Sequence, residues 1–312
     1  MGDQAFFLRF LQLCCVQRLN GFRCVYFLSA CGCRARKGAP SLESFVVNLA
    51  GCCLNVHPRY AETESFFRSA YPPCREAAAW SPDCLEARLP DVAIPAGDWQ
   101  LSRAQGMPDC AHTEYSFLTA YCSDALMEFS RLVIHAVALR FRDRAWLICG
   151  KSGAGKSTQA KLLQQLCPGA FGIICGDRPI LQFCPSESST KQPQIPAVLQ
   201  SLNPSHGAPG NPILVHPSPW NGKENWYGAE AAPLAGVILL ERGEENRLYC
   251  VSEEEAVIPV YLQLIQSSWE PQTIRRAAAM ESAILQAVPV WKLVSRDVPD
   301  STRLLLEAVF CA

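Results

Sequence analysis

The sequence lacks the features that mark membrane proteins and nucleic-acid-binding proteins. It has 28 lysines and arginines against 29 aspartates and glutamates, so the net charge of −1 gives no electrostatic case for nucleic acid. No apolar run approaches the length of a membrane span, because the nearest candidate, residues 6–30, is interrupted by Arg9, Arg18 and Arg23. That stretch also lacks a small-residue cleavage site behind an apolar core, so we expect no signal peptide.

Cysteine is abundant, at 17 residues, but the spacings that build zinc sites are missing. No C-x-x-C pair occurs, and the adjacent pairs Cys14-Cys15 and Cys52-Cys53 have no histidine partner at zinc-site spacing. Several other cysteines lie inside apolar runs, where a reduced thiol acts as a small hydrophobic group. Free thiols of this kind predict a cytoplasmic protein.

The remaining composition is that of a globular protein, with 49% hydrophobic and 18% charged residues in 312. Residues 1–43 differ from the rest, because they show no clear helical or strand period and end in a basic patch. We expect a poorly ordered extension there, either an amphipathic segment or the product of a start site placed too far upstream. Residues 44–112 are predicted to form a small α/β subdomain and residues 113–312 the main domain.

The chain is organised around a phosphate-binding pattern at residues 150–157. Gly150-Lys-Ser-Gly-Ala-Gly-Lys-Ser157 fits G-x-x-x-x-G-K-[ST] at every fixed position. In this motif backbone N–H groups surround an anion, the lysine reaches terminal phosphates and the serine hydroxyl ligates Mg²⁺. A strand over residues 145–149 and a helix over residues 159–165, ended by Pro168-Gly169, supply the context that the motif requires.

An antiparallel hairpin is predicted to lead into this loop. Residues 131–141 alternate as a strand and are joined to the strand before the loop by a polar turn, residues 142–144. In Rossmann-like nucleotide-binding folds the neighbouring strands are instead parallel and joined through helices, so the hairpin favours another P-loop architecture. Centring the turn on Asp143 places His135 opposite Lys151, with an uncertainty of about one residue in register.

Two further features downstream could belong to the same site. Asp177 follows a short apolar strand, residues 171–175, and its carboxylate could hold a metal ion or take a proton from a hydroxyl group. The alternative is an aspartate that opens a turn before proline. Trp220 and Lys223 share a tight turn that either functions in binding or packs the tryptophan beneath it.

The C-terminal third continues the alternation of strands and helices. Residues 234–241 and 247–251 flank a Gly-Glu-Glu-Asn turn and are predicted to pair with each other as a hairpin. Ser252 and Glu255 form a capping box that opens a helix. Three more elements are predicted after it: a helix over residues 271–288, a strand over 290–294 and a helix over 301–309.

This order of motifs resembles the bacterial HPr serine kinase/phosphorylase-like proteins, whose core is similar to phosphoenolpyruvate carboxykinase. The similarity covers residues 45–310 and rests on the loop, on Asp177-Arg178-Pro179 and on Pro219-Trp220-Asn-Gly-Lys223. It implies an α/β P-loop fold with a mixed sheet and a kinase that uses ATP and Mg²⁺. The phosphate-binding residues that it implies are Gly150, Ser152, Gly153, Ala154, Gly155, Lys156, Ser157 and Thr158.

The resemblance also implies roles for individual residues. Ser157 and Asp177 would ligate Mg²⁺, and Asp177 would orient and deprotonate the acceptor hydroxyl. His135 would lie near the transferring phosphate, and Lys223 would stabilise the charge of transfer. Because relatives often assemble, a homo-oligomer is a further implication, whereas no nucleic-acid or membrane partner is expected.

Two departures from the family pattern limit what the resemblance implies. Gly176 stands where true HPr kinases carry a second acid, and the family's loop that engages HPr has no counterpart here. We therefore expect the acceptor to be a serine of a peptide or protein, or a small hydroxyl compound, and not HPr. The alternative hypothesis is a nucleotide-binding interaction protein whose catalysis has lapsed. A nucleotide-dependent switch is less favoured, because no Asn-Lys-x-Asp motif for guanine is present.

Overall fold

The structure is a computed structural model that describes residues 43–58, 60, 62–70, 85–88, 110–184, 213–228, 230–267 and 270–310. The predicted N-terminal extension lies outside the described residues except for Glu43. The described residues form a mixed α/β structure with a mixed sheet, as the sequence predicted. None of the described helices is long and apolar enough to cross a membrane.

A three-stranded sheet and two helices form the N-terminal part. β1 (Phe45–Leu49) and β2 (Cys52–His57) are an antiparallel hairpin, and β3 (Leu85–Arg88) pairs with β2 in parallel. The hairpin turns through two residues with φ of 50° and 79°, as a tight turn between twisted strands requires. Helix α1 (Glu62–Ala70) lies between β2 and β3 in the chain, and α2 (Cys110–Met127) follows β3.

The core of this part is aromatic and extends into the main sheet. Phe67 of α1 is fully buried against Leu54 of β2 and Leu118 of α2. Its ring makes edge contacts with Tyr115 of α2, at a centroid distance of 5.1 Å, and with Trp220, at 5.4 Å. The subdomain boundary predicted after residue 112 falls within α2, and the division into two domains stays a prediction.

The main sheet has nine strands among the described residues. They are β4 (Arg131–Val133), β5 (Ala136–Phe141), β6 (Arg144–Cys149), β7 (Phe171–Cys175), β8 (Ile180–Phe183), β9 (Ile213–His216), β10 (Ala232–Arg242), β11 (Arg247–Cys250) and β12 (Val290–Ser295). β6, β10 and β12 run parallel in the centre, and β5 joins β6 to β7 with antiparallel pairing on both sides. β9, β8 and β4 continue from the first residues of β10 by antiparallel pairing.

Four α-helices and a short π-helix accompany this sheet: α3 (Lys156–Leu166), α4 (Glu253–Tyr261), α5 (Pro271–Ala287), α6 (Val298–Leu305) and the π-helix Leu306–Phe310. α4 begins with the predicted capping box, because Ser252 accepts from the Glu255 backbone while the Glu255 side chain accepts from the Ser252 backbone. Leu163 of α3 and Leu305 of α6 are fully buried in one core cluster with β5, β6, β10 and β12.

The predicted hairpin before the phosphate-binding pattern is present, with its register shifted by one residue. Arg144 belongs to β6, so the turn contains only residues 142 and 143, and Ala136 pairs with Cys149. Continuing that register places His135 opposite Gly150 and not opposite Lys151. The predicted single strand over residues 131–141 is also two strands, because β4 pairs with β8 whereas β5 pairs with β6.

The predicted pairing of residues 234–241 with residues 247–251 is wrong. Both segments are strands, β10 and β11, but β12 lies between them and pairs with both. The turn between β10 and β11 contacts the residues that follow β12. Its Asn246 Oδ1 accepts hydrogen bonds from the backbone N–H groups of Arg296 and Asp297. A side-chain cap of this kind satisfies N–H groups that precede a helix, here α6.

Candidate functional site

The segment between β6 and α3 is an open turn, Gly150–Ser157. Its three glycines have φ of 152°, 78° and 108°, a region in which residues with a side chain are strained. A Cβ on Gly150 would lie 2.5 Å from the carbonyl oxygen of Leu240 in β10, whereas a Cβ on Gly153 would meet nothing within 4 Å. Glycine is therefore needed at the first position because β10 passes beside it, and the tip of the turn is open to solvent.

Lys156 begins α3 and directs its side chain back into this turn. The residue is buried, with 8% of its surface exposed. Its Nζ donates to the carbonyl oxygen of Gly150 at 2.9 Å and lies 3.4 Å from that of Lys151. Burial lowers the pKa of Lys156, and the charge of Asp177 opposes that effect. The turn thus holds a desolvated ammonium group at its centre.

His135 lies between β4 and β5, where the backbone changes partner. Its N–H donates to the carbonyl oxygen of Gln263 at 2.7 Å, and the neighbouring N–H of Ala136 donates to that of Asp177 at 2.8 Å. Its Nε2 lies 3.2 Å from Lys156 Nζ and 3.3 Å from Asp177 Oδ1. The histidine that the sequence placed level with the loop is therefore in direct contact with the lysine of the loop.

Asp177 follows β7 and reaches the same point from a different direction. β7 is not adjacent to β6 in the sheet, because β5 lies between them. Burial acts to raise the pKa of the Asp177 carboxyl, but hydrogen bonding to His135 and the nearby charges of Arg178, His135 and Lys156 outweigh it and hold the pKa below its ordinary value. Asp177 is therefore a carboxylate at physiological pH.

The segment after β9 closes against the end of β7 along a seam of glycines. The backbone N–H groups of Gly176 and Gly228 donate across it to the carbonyl oxygens of Trp226 and Ile174, at 2.9 and 2.8 Å. A Cβ on Gly176 would overlap the carbonyl oxygen of Asn221, and one on Gly228 would overlap that of Ile173. The two backbones are in contact at these points, which only residues without a side chain allow.

Gly176 therefore has a steric reason for its identity. Residue 176 is the position at which the family pattern has a second acid. The backbone carbonyl of Asn221 occupies the space that a side chain at this position would need. A carboxylate there would displace the opposite chain and would not simply add a second acid beside Asp177. The site is thus built around one carboxylate.

Trp220 and Lys223 have different roles in this segment. Trp220 is buried, with its Nε1 donating to the carbonyl oxygen of Tyr115 at 2.8 Å, which favours the packing alternative. Lys223 is exposed and makes no ion pair within the described part of the chain. It follows Gly222, at which a Cβ would lie 3.1 Å from the Cβ of Asp177. The structure therefore brings the backbone beside Lys223 to the site, and the role of its ammonium group stays a prediction.

Arg178 and Thr119 also belong to this neighbourhood, and the sequence analysis assigned neither a role. Arg178 Nε lies 3.2 Å from Asp177 Oδ2, and its Nη1 donates to Thr119 Oγ1 at 2.8 Å. Arg178 directly follows Asp177 in the sequence, and this alone indicates that it lies near the site. Thr119 is on α2, far away in the chain, and no local sequence pattern indicates that it is close.

The donor set fits a magnesium-bound nucleotide. Mg²⁺ is usually held by one or two protein oxygen ligands together with phosphate oxygens, and Asp177 and the half-buried hydroxyl of Ser157 are such ligands. The described residues hold no group of three or more His, Cys, Asp or Glu that would bind a metal alone. Around the turn, Ser152, Gly153 and Thr158 are exposed, Ala154 is buried, and Gly155 adopts the left-handed conformation before α3.

No protein-family model matches the sequence, and no curated protein matches it. Among solved structures, the HPr(Ser) kinase/phosphatase from Coxiella burnetii is similar at 13% sequence identity, covering 56% of this chain and 93% of that chain, with a TM-score of 0.23. This similarity is distant, and we transfer nothing about activity from it. Membership of the family that the motifs resemble stays a prediction.

Proposed function

We propose that this protein is an ATP-dependent kinase that transfers a phosphoryl group to a hydroxyl acceptor. One observation carries the proposal: Lys156, His135 and Asp177, from three separate segments, meet around a single nitrogen atom beside a glycine turn. A cation, an imidazole and one carboxylate at the end of an open phosphate-binding turn are suited to phosphoryl transfer, which depends mainly on positioning and charge neutralisation.

In this proposal the turn and Lys156 hold the phosphates of ATP. Backbone N–H groups of the turn would surround the phosphates, and the ammonium group of Lys156 would supply the positive charge. Ser157 and Asp177 would hold Mg²⁺, which when bound neutralises phosphate charge. Lys223, exposed one residue after Gly222, would approach from solvent and stabilise the charge of transfer.

Asp177 would act mainly by orienting the acceptor. Its lowered pKa makes it a weak general base, because proton transfer is most efficient when the pKa of the base lies near the working pH. Phosphoryl transfer does not need a strong base. In its loose transition state the bond from the acceptor oxygen to phosphorus is only slightly formed, and the proton leaves as that bond forms. A permanently ionised carboxylate that aligns a hydroxyl is consistent with that requirement.

The second candidate is a nucleotide-binding interaction protein without catalysis. The observation that favours it is Gly176, whose contact with Asn221 leaves the site with one carboxylate. Under this hypothesis the turn and Lys156 still bind ATP, but no phosphoryl group is transferred. The two candidates therefore agree on binding and differ on chemistry.

A transfer assay separates them. The purified chain is incubated with γ-labelled ATP, Mg²⁺ and a panel of serine-containing peptides and small hydroxyl compounds. The kinase hypothesis predicts a labelled acceptor and equal release of ADP. ATP binding without label on any acceptor, and without release of ADP, would favour the second candidate, and a chain that binds no ATP would contradict both.

A further inference from the structure

Arg178 connects three parts of the structure that meet at Asp177. Its backbone N–H donates to the carbonyl oxygen of Trp220 at 3.0 Å, and its own carbonyl oxygen accepts from Ser218 Oγ at 2.6 Å. Its guanidinium group contacts Asp177 Oδ2 at 3.2 Å and Thr119 Oγ1 at 2.8 Å. The residue is thus fixed at both its backbone and its side chain.

Resting on the kinase function above, we propose that Arg178 is a positioning residue, anchored by Thr119, that sets the orientation of the Asp177 carboxylate. The consequence is that α2, which packs with the N-terminal sheet, is part of the machinery of the phosphate-binding site. Arg178 acts through Asp177 and need not touch a substrate.

The geometry of the carboxylate supports this inference. Rotation about the terminal bond of an aspartate is broad, so its own rotamer preferences do not fix the carboxylate plane. In this site each oxygen lies beside a different group: His135 Nε2 is 3.3 Å from Oδ1, and Arg178 Nε is 3.2 Å from Oδ2 in an ion pair that lacks hydrogen-bond geometry. Two partners on opposite oxygens define the plane, and removing Arg178 would leave it free to turn away from His135 and Lys156.

The hydroxyl of Thr119 supplies the anchor that a surface arginine lacks. Exposed ion pairs contribute little, partly because two long side chains must be ordered to form them. Here Thr119 is 1% exposed and its hydroxyl accepts from Nη1, while the backbone of Arg178 is already fixed by Ser218 and Trp220. A lysine would not reproduce these contacts, because its single ammonium cannot present two donors in a fixed plane.

The first test is Thr119→Val, with Thr63→Val as the matched control. Both threonines are buried and both hydroxyls make a hydrogen bond, but Thr63 donates to Glu114 at 2.6 Å, away from Asp177. We expect Thr119→Val to lower kcat about tenfold with KM for ATP changed less than about threefold, because orientation of the acceptor is lost and binding is not. Equal kcat in Thr119→Val and Thr63→Val would contradict the proposal that Thr119 anchors Arg178.

The second test is a double-mutant cycle of Arg178→Ala and Asp177→Asn. If Arg178 acts through Asp177, adding Arg178→Ala to Asp177→Asn costs little further activity, whereas independent effects multiply. Millimolar guanidinium should restore part of the activity of Arg178→Ala, and urea at the same concentration should not. Multiplying effects, or no selective rescue, would contradict the inference.

A third readout does not need turnover. The Nε2 chemical shift of His135, followed by NMR in the full chain, should change in Arg178→Ala and stay unchanged in Thr63→Val, because only the former releases the carboxylate from His135. An unchanged His135 signal in Arg178→Ala would overturn the positioning role. A chain with that shift change but no transfer to any acceptor would contradict the kinase function and leave the positioning of Asp177 supported.

Discussion

Nε2 of His135 lies 3.3 Å from Oδ1 of Asp177, and the same nitrogen lies 3.2 Å from Nζ of Lys156. An imidazole nitrogen donates when it carries a proton and accepts when it does not, so Nε2 satisfies the carboxylate or the ammonium but not both at once. His135 therefore contacts two groups of opposite charge through one atom. The arrangement keeps the lysine available to an anion and the carboxylate available to a hydroxyl or a cation.

Replacing His135 should affect chemistry more than binding. In His135→Ala, Lys156 and Asp177 lose the group between them, and we expect kcat to fall about tenfold or more, since one positioned polar group in a transfer site contributes on that order. The Kd for ATP should change less than about threefold. Steady-state kinetics and nucleotide titration measure the two, with His216→Ala, a histidine outside the site on β9, as the control.

Asp177→Asn should lower the rate of transfer by about a hundredfold or more, to a residual rate that can still be measured, and leave ATP binding nearly intact. The amide keeps the shape of the side chain but loses the charge that would orient a hydroxyl and hold a cation. Asp143→Asn, in the exposed turn between β5 and β6, is the matched control because it makes the same chemical change away from the site. Activity of Asp177→Asn equal to that of Asp143→Asn would exclude the role given to Asp177.

Lys156→Ala should weaken nucleotide binding under both candidate functions. If the buried ammonium group binds the phosphates as proposed, its removal deletes a charge-assisted contact, and a loss of roughly 2–3 kcal/mol, or about 30- to 150-fold in Kd, is expected. Lys292→Ala, on β12, removes an equal charge that is paired with Glu241. Titration of a fluorescent ATP analogue into the three proteins measures the effect, and unchanged affinity in Lys156→Ala would place the nucleotide elsewhere.

Gly176→Ala should destabilise the fold, because its new methyl group would overlap the carbonyl oxygen of Asn221. Overpacking of this kind costs about 1–3 kcal/mol in free energy of unfolding. Gly172→Ala is the matched control on β7, the strand that Gly176 follows, since a Cβ there would lie 3.6 Å from the Cβ of Arg140, an ordinary contact. Urea denaturation compares the stability of the two variants. Equal midpoints would show that the backbone around Gly176 accommodates the methyl group without loss of stability.

Glu281 should make stability depend on pH. Burial raises the pKa of this carboxyl in α5 from its ordinary value to about 8, although the backbone of Tyr261 opposes the shift. A raised folded-state pKa gives stability that is complete below pH 4.5 and declines as the pH rises toward 8. At pH 7 the unfolded chain ionises Glu281 while the folded chain keeps it mostly protonated, which lowers stability by on the order of 3 kcal/mol relative to low pH.

Glu281→Gln should therefore be more stable than the wild type at pH 8 and similar to it at pH 4.5. Glu253→Gln, at the exposed start of α4, is the control, because the same change in solvent should leave the pH profile unaltered. Thermal unfolding across this pH range measures both variants. Parallel profiles for the wild type and Glu281→Gln would show that burial of the carboxyl carries no penalty.

Local features of the structure were predictable from the sequence, and long-range ones were not. The hairpin before the loop and the capping box at Ser252 depend on neighbouring residues, and both are present. The pairing of β10 with β11 was predicted on the same local grounds and is wrong, because a strand some forty residues later takes the place between them. Pairing of β10 and β11 with the distant strand β12 is thus preferred to the local hairpin that the turn favours.

The candidate site shows the same division. Lys156 was recognisable from its motif, and His135 from the hairpin, to within one residue of register. The meeting of Asp177 with these two residues does not follow from local sequence, because the contact depends on β5 lying between β6 and β7. The approach of Thr119 from α2 and the steric closure over Gly176 have no local sequence signal, since each is made by a distant segment.

The position of β12 also has a consequence for how the chain is made. β10 and β11 are joined by a short turn and are synthesised one after the other. β12 (Val290–Ser295), which pairs with both of them, is synthesised later. The central sheet is therefore complete only when residues 290–295 have been synthesised. A nascent chain that ends before residue 290 would present two unprotected strand edges to chaperones or to other chains, and translation past that point closes the sheet.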